Sequence, residues 1–304
     1  MLSYPCFLQR KELIGVKAQA KRPHKPSKFG IFLASLKPNR WLYPVYAARQ
    51  LRLEKHEISS SHVPRSLSGL KLAYASDIHY GALLDKARVA DLADRLNALD
   101  ADIILLGGDY GEDAAHSLEF WQIVPPLHAR LAICGVVGNH DRADGDIDAL
   151  CAAMQAKGVT PLVNNAVMLR GEDGTIAVCA TDDCYWGNPD YEGTAAQVCD
   201  ADFVIYAPHA PDALEDAYNV QKDPFFDLAL CGHSHGGQVA LLGFAPYTAS
   251  RRGLIYGNHY RSGLIDEYGV NVLVSNGVGT TWLPIRFGAR AQYHLITLNR
   301  ARPQ

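Results

Sequence analysis

From Leu51 onward, short apolar runs alternate with segments whose apolar residues recur every three or four positions. Leu72–Ala75, Ile103–Leu106 and Leu131–Val137 are continuous apolar runs of strand length. Between the first two, Val89, Leu92, Leu96 and Leu99 mark one face of a helix, with Asp85 placed to cap its N-terminus. Ile147, Leu150, Cys151 and Met154 mark a second helical face. Val159–Val163, Val167–Leu169 and Ile176–Cys179 then read as strands separated by Asn, Gly and Asp turns. Phe203–Tyr206, Asp227–Cys231, Gln238–Leu242, Val270–Val274 and Tyr293–Leu298 complete the strand set. Helices interleave with strands early and thin out late, which predicts a layered α/β domain with mixed sheets. No internal repeat occurs.

Composition divides the chain in two. Apolar residues make up 48% of the 304 positions, enough for a large core, so disorder is excluded for the body. No uncharged apolar run approaches the roughly 18 residues that a membrane span requires. Residues 1–56 carry twelve Lys/Arg against two acids, whereas residues 57–304 hold 17 basic and 30 acidic residues, a balance of −13. An acidic body repels a phosphate backbone, so general nucleic-acid binding is not expected. The division predicted is an extension over 1–48, basic and then aromatic (Phe29, Phe32, Trp41, Tyr43), and a single catalytic-type domain over 49–304. Cations beside aromatic rings suit either a disordered tail or a segment lying on an anionic membrane surface. The seven cysteines are odd in number and lack a CxxC pair, and no secretory signal is evident. These features predict a cytoplasmic protein, with peripheral contact at the cytoplasmic face of the inner membrane through residues 1–48 as an open alternative.

Chemistry concentrates where five strand candidates end. Asp77 and His79 follow the first, Gly107-Gly108-Asp109 the second and Gly138-Asn139-His140-Asp141 the third. His209 follows Phe203–Tyr206, and Gly232-His233-Ser234-His235-Gly236-Gly237 follows Asp227–Cys231. Ligand sites in open α/β sheets lie outside the carboxyl ends of strands, so these groups can share one crevice. Asp77 and His79 are two apart, as are His233 and His235, so extended chain would point each pair to one side. Carboxylate, imidazole and amide without thiolate suit manganese, iron, zinc or similar divalent ions rather than a structural zinc. Each fragment alone is as compatible with an ordinary turn; their order and their common place at strand ends carry the expectation.

The order DxH, GGD, GNHD, H and GHxH resembles the calcineurin-like metallophosphoesterase superfamily. The stretches GLKLAYASDIH, TDDCYWGNPD and NGVGTTWLPIRFGARAQYHLITL extend the resemblance to the branch that contains the bacterial YkuE and YaeI phosphodiesterases, over roughly residues 50–300. It implies a four-layer α/β/β/α sandwich of two mixed sheets. It implies two divalent metal ions, one held by Asp77, His79 and His235 and the other by Asn139, His209 and His233, with Asp109 bridging. In-line attack on phosphorus by a metal-bridging hydroxide follows, with His140 assisting the phosphoryl group or leaving oxygen. Asp141 is placed either to orient His140 or as a solvated turn acid. The implied substrates are phosphodiesters or pyrophosphates. One alternative is a UDP-diacylglucosamine pyrophosphatase of lipid A synthesis, whose lipid-linked substrate would suit the basic extension. Another is a non-catalytic metal-binding scaffold. Asp182 and Asp183 line a substrate pocket or form a turn; Tyr256 and His259 sit in a loop suited to gating; Arg286 contacts a phosphate or makes a structural ion pair.

Overall fold

A computed structural model describes residues 25–36, 43–220, 224–242, 244–246, 257–267 and 269–301. Most of the basic extension, and Tyr256, lie outside the described residues. In chain order the elements begin with α1 (Lys28–Ser35), α2 (Tyr43–Arg49), β1 (Arg52–Ser60), β2 (Leu70–Ala75), α3 (Lys86–Asn97) and β3 (Ile103–Leu106). Then follow α4 (Ala114–Ile123), β4 (Ala132–Val136), α5 (Asn139–Arg142), α6 (Ile147–Ala156), β5 (Thr160–Leu162), β6 (Asn165–Arg170) and β7 (Thr175–Ala180). The chain closes with α7 (Tyr191–Gln197), β8 (Phe203–Tyr206), α8 (Ala213–Tyr218), β9 (Leu228–Cys231), β10 (Gly263–Glu267), β11 (Val270–Val274) and β12 (Gln292–Arg300).

The strands form two six-stranded mixed sheets, ordered β1-β12-β2-β3-β4-β5 and β10-β11-β9-β8-β7-β6. Strand alternation explains their stacking. Leu72 and Tyr74 of β2 point inward to a shared core with Ile205, Leu228 and Leu230 of the other sheet, while Ala73 and Ala75 point outward. Those outward alanines meet Val89, Leu92 and Leu96, the helical face of α3 expected from the sequence. On the far side, Ala229 and Cys231 pack with Leu214 and Ala217 of α8. Two sheets with helices outside each is the four-layer sandwich. Strands β2, β3 and β4 run parallel in one sheet, and β7, β8, β9 and β11 run parallel in the other. Five loops at their carboxyl ends carry the expected site residues.

Asp85 caps α3 by accepting from Arg88 N at 3.0 Å, which closes an otherwise orphaned donor. Cys134, Cys179 and Cys231 are buried and free, and burial pushes their thiols up, so they behave as small hydrophobes. Among the described residues no helix is long and apolar enough to cross a membrane.

One expected strand is absent. Gln238–Leu242 makes only isolated bridges, Val239 to Phe287 and Leu241 to Phe244. Gly236, Gly237 and Gln238 are all left-handed (φ 60°, 75° and 58°), which destroys the extended period just before it. Conversely, β1 pairs with β12 in parallel over Arg52–Ser60, although Glu54, Lys55 and Glu57 give it no apolar run. It is an edge strand, and charges on an edge discourage further pairing.

His294 of β12 lies buried with Nε2 3.0 Å from Ser275 Oγ and Nδ1 3.1 Å from His56 Nε2. Burial, and then the neighbouring His56, lower its pKa to about 3. An unfolded histidine titrates near 6.5. Below that pH the unfolded chain therefore binds a proton that the folded chain refuses, and stability falls as pH drops from about 6.5 toward 3. His294→Gln should flatten this slope by up to about 1.4 kcal/mol per pH unit, measured as urea midpoints between pH 6.5 and 4.5. An unchanged slope would contradict the buried neutral assignment.

Candidate metal centre

The loops after β2 and β3 are zipped together. Asp77 N donates to Gly108 O at 2.9 Å and His79 N to Asp109 O at 3.0 Å. Asp77, His79, Asp109, His233 and His235 all have φ between 50° and 64°. Left-handed backbone is costly for such side chains and persists only where the surroundings impose it. The pairwise convergence expected from extended chain is thus achieved differently: left-handed residues two apart aim both side chains inward.

Glycines permit the approach. A Cβ on Gly232 would lie 2.4 Å from Asp77 Oδ2, and one on Gly138 would lie 2.2 Å from Asp109 Oδ1. The carboxylate of Asp77 accepts from His233 N at 2.9 and 3.1 Å, binding the β9 loop to the β2 loop. Asp109 Oδ1 accepts from His140 N at 2.8 Å.

Buried donor atoms gather at the junction. His79 Nε2 lies 3.0 Å from His235 Nε2 and 3.5 Å from Asp109 Oδ2. His235 Nε2 lies 3.6 Å from Asp77 Oδ1. Across Asp109, His209 Nε2 is 3.4 Å from Oδ2 and 3.2 Å from Asn139 Oδ1, which in turn is 2.7 Å from His233 Nδ1. Ligand atoms around a cation at about 2.1 Å stand roughly 3 to 3.4 Å from one another, a range that holds three of these six separations, with two more within 0.2 Å of it. Among the described residues, three sets of His, Cys, Asp or Glu have ligand atoms mutually within 4.8 Å: Asp77, His79 and His235; His79, Asp109 and His140; and Asp77, Asp109 and His209. The second set brings His140 among the ligand-type groups, a grouping the sequence reading did not include.

The electrostatics fit a divalent cation. Burial, and then His140, lower His79 to about 3, and burial followed by His79 lowers His235 as well, so both rings are neutral and offer lone pairs. Burial raises Asp77 to about 6. Burial would likewise raise Asp109, but His209, His140 and His79 hold it well below the usual carboxylate range. Burial opposes charge on His209, yet Asp109 outweighs it and raises the ring to about 10. His209 Nδ1 faces Gly107 O at 2.8 Å. A carbonyl only accepts, so Nδ1 carries hydrogen and Nε2 faces the cluster holding the proton that Asp109 favours; a cation binding there would displace that proton and leave Nδ1–H as the outer support of the imidazole.

Asp141 has a role the sequence did not show. Its carboxylate accepts from Asp109 N (2.7 Å), Gly138 N (2.8 Å), Tyr110 N (3.0 Å) and Ser117 Oγ (2.6 Å). The His140 ring instead sets Nδ1 2.9 Å from Glu112 O. Asp141 therefore is neither a solvated turn acid nor the orienter of the His140 ring: it holds the backbone beneath Asp109. Glu112 acts through its carbonyl, which no side-chain pattern signals.

Of the remaining candidates, Asp182 accepts from Asn188 N and pairs with Arg142 at 3.0 Å, and Asp183 accepts from Tyr185 N and Trp186 N. That is the turn reading. The turn nevertheless brings the Tyr185 ring to 5.0 Å from His233. His259 pairs with Glu267. Arg286 is fully buried, and its guanidinium donates to the carbonyls of His235, Asn276, Gly277, Gly279 and Ala289. Buried in this way it does not reach outward for a phosphate, and it makes no ion pair among the described residues. It ties the His235 loop to the 276–289 segment.

Nitrogen and oxygen donor atoms converge in the loops at the carboxyl ends of strands from both mixed sheets, a set suited to divalent ions. Residues 70–237 match the family model described as calcineurin-like phosphoesterase, and the chain belongs to that family of hydrolases acting on phosphoric esters. It is 31% identical over 265 residues to the uncharacterized metallophosphoesterase YkuE of Bacillus subtilis (strain 168), covering 85% of this chain and 88% of that one. It is 27% identical over 236 residues to the phosphodiesterase YaeI of Escherichia coli (strain K12), covering 75% and 82%.

Gly232→Ala should push Asp77 from its position and weaken metal retention at least tenfold, with the far-UV spectrum unchanged. Mass-spectrometric metal analysis after dialysis against graded chelator reads this out. Wild-type retention would contradict the close approach of Gly232 to Asp77.

Proposed function

We propose that the chain is a phosphodiesterase whose centre holds two divalent ions of the manganese, iron or zinc type. Asp77, His79 and His235 would hold one, Asn139, His209 and His233 the other, and Asp109 both. The observation that carries this reading is Asp109 itself: Oδ2 lies 3.5 Å from His79 Nε2 on one side and 3.4 Å from His209 Nε2 on the other. When bound, such a pair of ions neutralises phosphate charge and lowers the pKa of water between them.

The chain's own groups do the rest. Left-handed backbone and the Asp141 network fix the ligand atoms before substrate arrives, so little reorganisation accompanies reaction. His140 carries hydrogen on Nδ1, donated to Glu112 O, which leaves Nε2 turned toward the cluster to hold a proton for the leaving oxygen. Tyr185, whose hydroxyl donates to Asp212 at 2.5 Å, walls the His233 side and narrows the approach.

YaeI is named a phosphodiesterase, which favours a diester over a monoester substrate. A second reading, cleavage of a lipid-linked pyrophosphate at a membrane, as with UDP-diacylglucosamine, is favoured by exposed Phe29, Ile31 and Phe32 on α1.

Chelator-stripped protein should regain hydrolysis of bis(p-nitrophenyl) phosphate when manganese, iron or zinc is returned, in preference to the monoester. His140→Ala should lose about 10²- to 10⁴-fold in kcat while keeping its metal. Asp109→Asn should lose both turnover and metal. Wild-type turnover in Asp109→Asn would overturn the shared-ligand assignment.

A further inference from the structure

The described residues expose eleven large hydrophobic side chains, and nine of them fall in three short segments. Phe29, Ile31 and Phe32 lie on α1; Val239, Leu241, Leu242 and Phe244 follow the β9 loop; Trp282 and Phe287 lie between β11 and β12. The three segments are joined. Ser27 N donates to Trp282 O at 3.3 Å, and a Cβ on Gly30 would meet the same carbonyl, so α1 lies against Trp282. Gln238 Nε2 donates to Thr281 O and Leu283 O, and Ala240 N donates to Phe287 O at 2.7 Å, linking the other two. Scattered single hydrophobics need no explanation, but a linked cluster of this kind marks an interaction surface.

Two of these residues occupy backbone that argues for use. Leu242 (φ 49°) is 99% exposed and Trp282 (φ 58°) is 56% exposed. Left-handed turn positions favour Gly or Asn. An apolar side chain there costs both strain and exposure; Leu242 gains nothing by burial in the free protein, and Trp282 is only partly covered.

We propose that this surface docks the protein on an anionic lipid bilayer, with Leu242, Phe244, Trp282 and the α1 rings entering the interface. Charge selects this occupant. Between Glu12 and Glu54 the chain has no acidic residue, while Lys17, Lys21, Arg22, Lys25, Lys28, Lys37, Arg40, Arg49 and Arg52 lie in that interval. A basic stretch with an aromatic helix is the composition of an interfacial anchor, whereas the acidic body would be repelled by the same membrane. Side chains protruding from turn tips insert between headgroups more readily than they build a flat self-complementary face.

Docking here would also place the centre. Gln238 stands three residues after His235, Gly279 N donates to Asp77 O at 2.7 Å, and Arg286 bonds the carbonyls of both His235 and Gly279. The surface is thus contiguous with the walls of the centre, and a docked molecule would present it to phosphodiesters or pyrophosphates at headgroup level. The docking stands alone; only this substrate class rests on the phosphodiesterase reading.

The test uses the full chain and sedimentation with vesicles of phosphatidylglycerol and phosphatidylethanolamine, with phosphatidylcholine vesicles for comparison. Wild type should partition to the anionic vesicles, and L242D/F244D and, separately, F29S/F32S should each lower the partition coefficient at least tenfold. The circular dichroism melt and turnover of a soluble diester should be unchanged. Absence of wild-type binding, or binding that salt abolishes and the apolar substitutions leave intact, would overturn the proposal. So would a wild-type dimer that L242D/F244D renders monomeric without any vesicle binding, because the surface would then join two copies. Patch-dependent binding by a protein that hydrolyses no diester would uphold docking and reject the phosphodiesterase reading instead.

Discussion

Everything at the centre depends on a carboxylate buried away from bulk solvent. Asp109 is 1% exposed and is surrounded by imidazoles from the β2, β4 and β8 loops. An uncompensated charge so placed is expensive, and Asp109 raises His209 against the cost of that ring's own burial. The fold supplies the compensation from two directions, ring nitrogens toward Oδ2 and the His140 amide toward Oδ1, while Asp141 fixes the backbone beneath through the Asp109 amide. A divalent cation bound there would complete what these groups leave undone.

The same constraint organises the loops. Five site residues accept left-handed backbone, and Gly138 and Gly232 forgo side chains because a carboxylate occupies the space. Arg286 extends the bracing outward by collecting carbonyls from both sides of the site. It ties the centre's rigidity to the 276–289 segment, and through Phe287 to the exposed apolar surface.

Much of this was legible in the sequence. The apolar runs at Ile103–Leu106 and Phe203–Tyr206 are buried on both faces, so pattern alone marks them as strands. The site residues stand where such strands end. What escaped was whatever depends on partners distant in the chain. Edge strand β1 has no apolar run because it is stabilised by pairing with β12, and Gln238–Leu242 looks extended until the glycines before it turn left-handed. The tasks of Asp141 and Arg286 escaped for a related reason: both bind backbone groups, and backbone leaves no trace in residue identity. The split of ligands between two ions came from family resemblance rather than from spacing.

The central claim is a centre that holds two ions through a shared Asp109. Its most direct test is the metal stoichiometry of the full chain, reconstituted with manganese and freed of excess, alongside diester turnover at each increment. The account predicts about two ions per chain and turnover that rises only as the second site fills. Saturation at one ion with full turnover, or full turnover without metal, would contradict it.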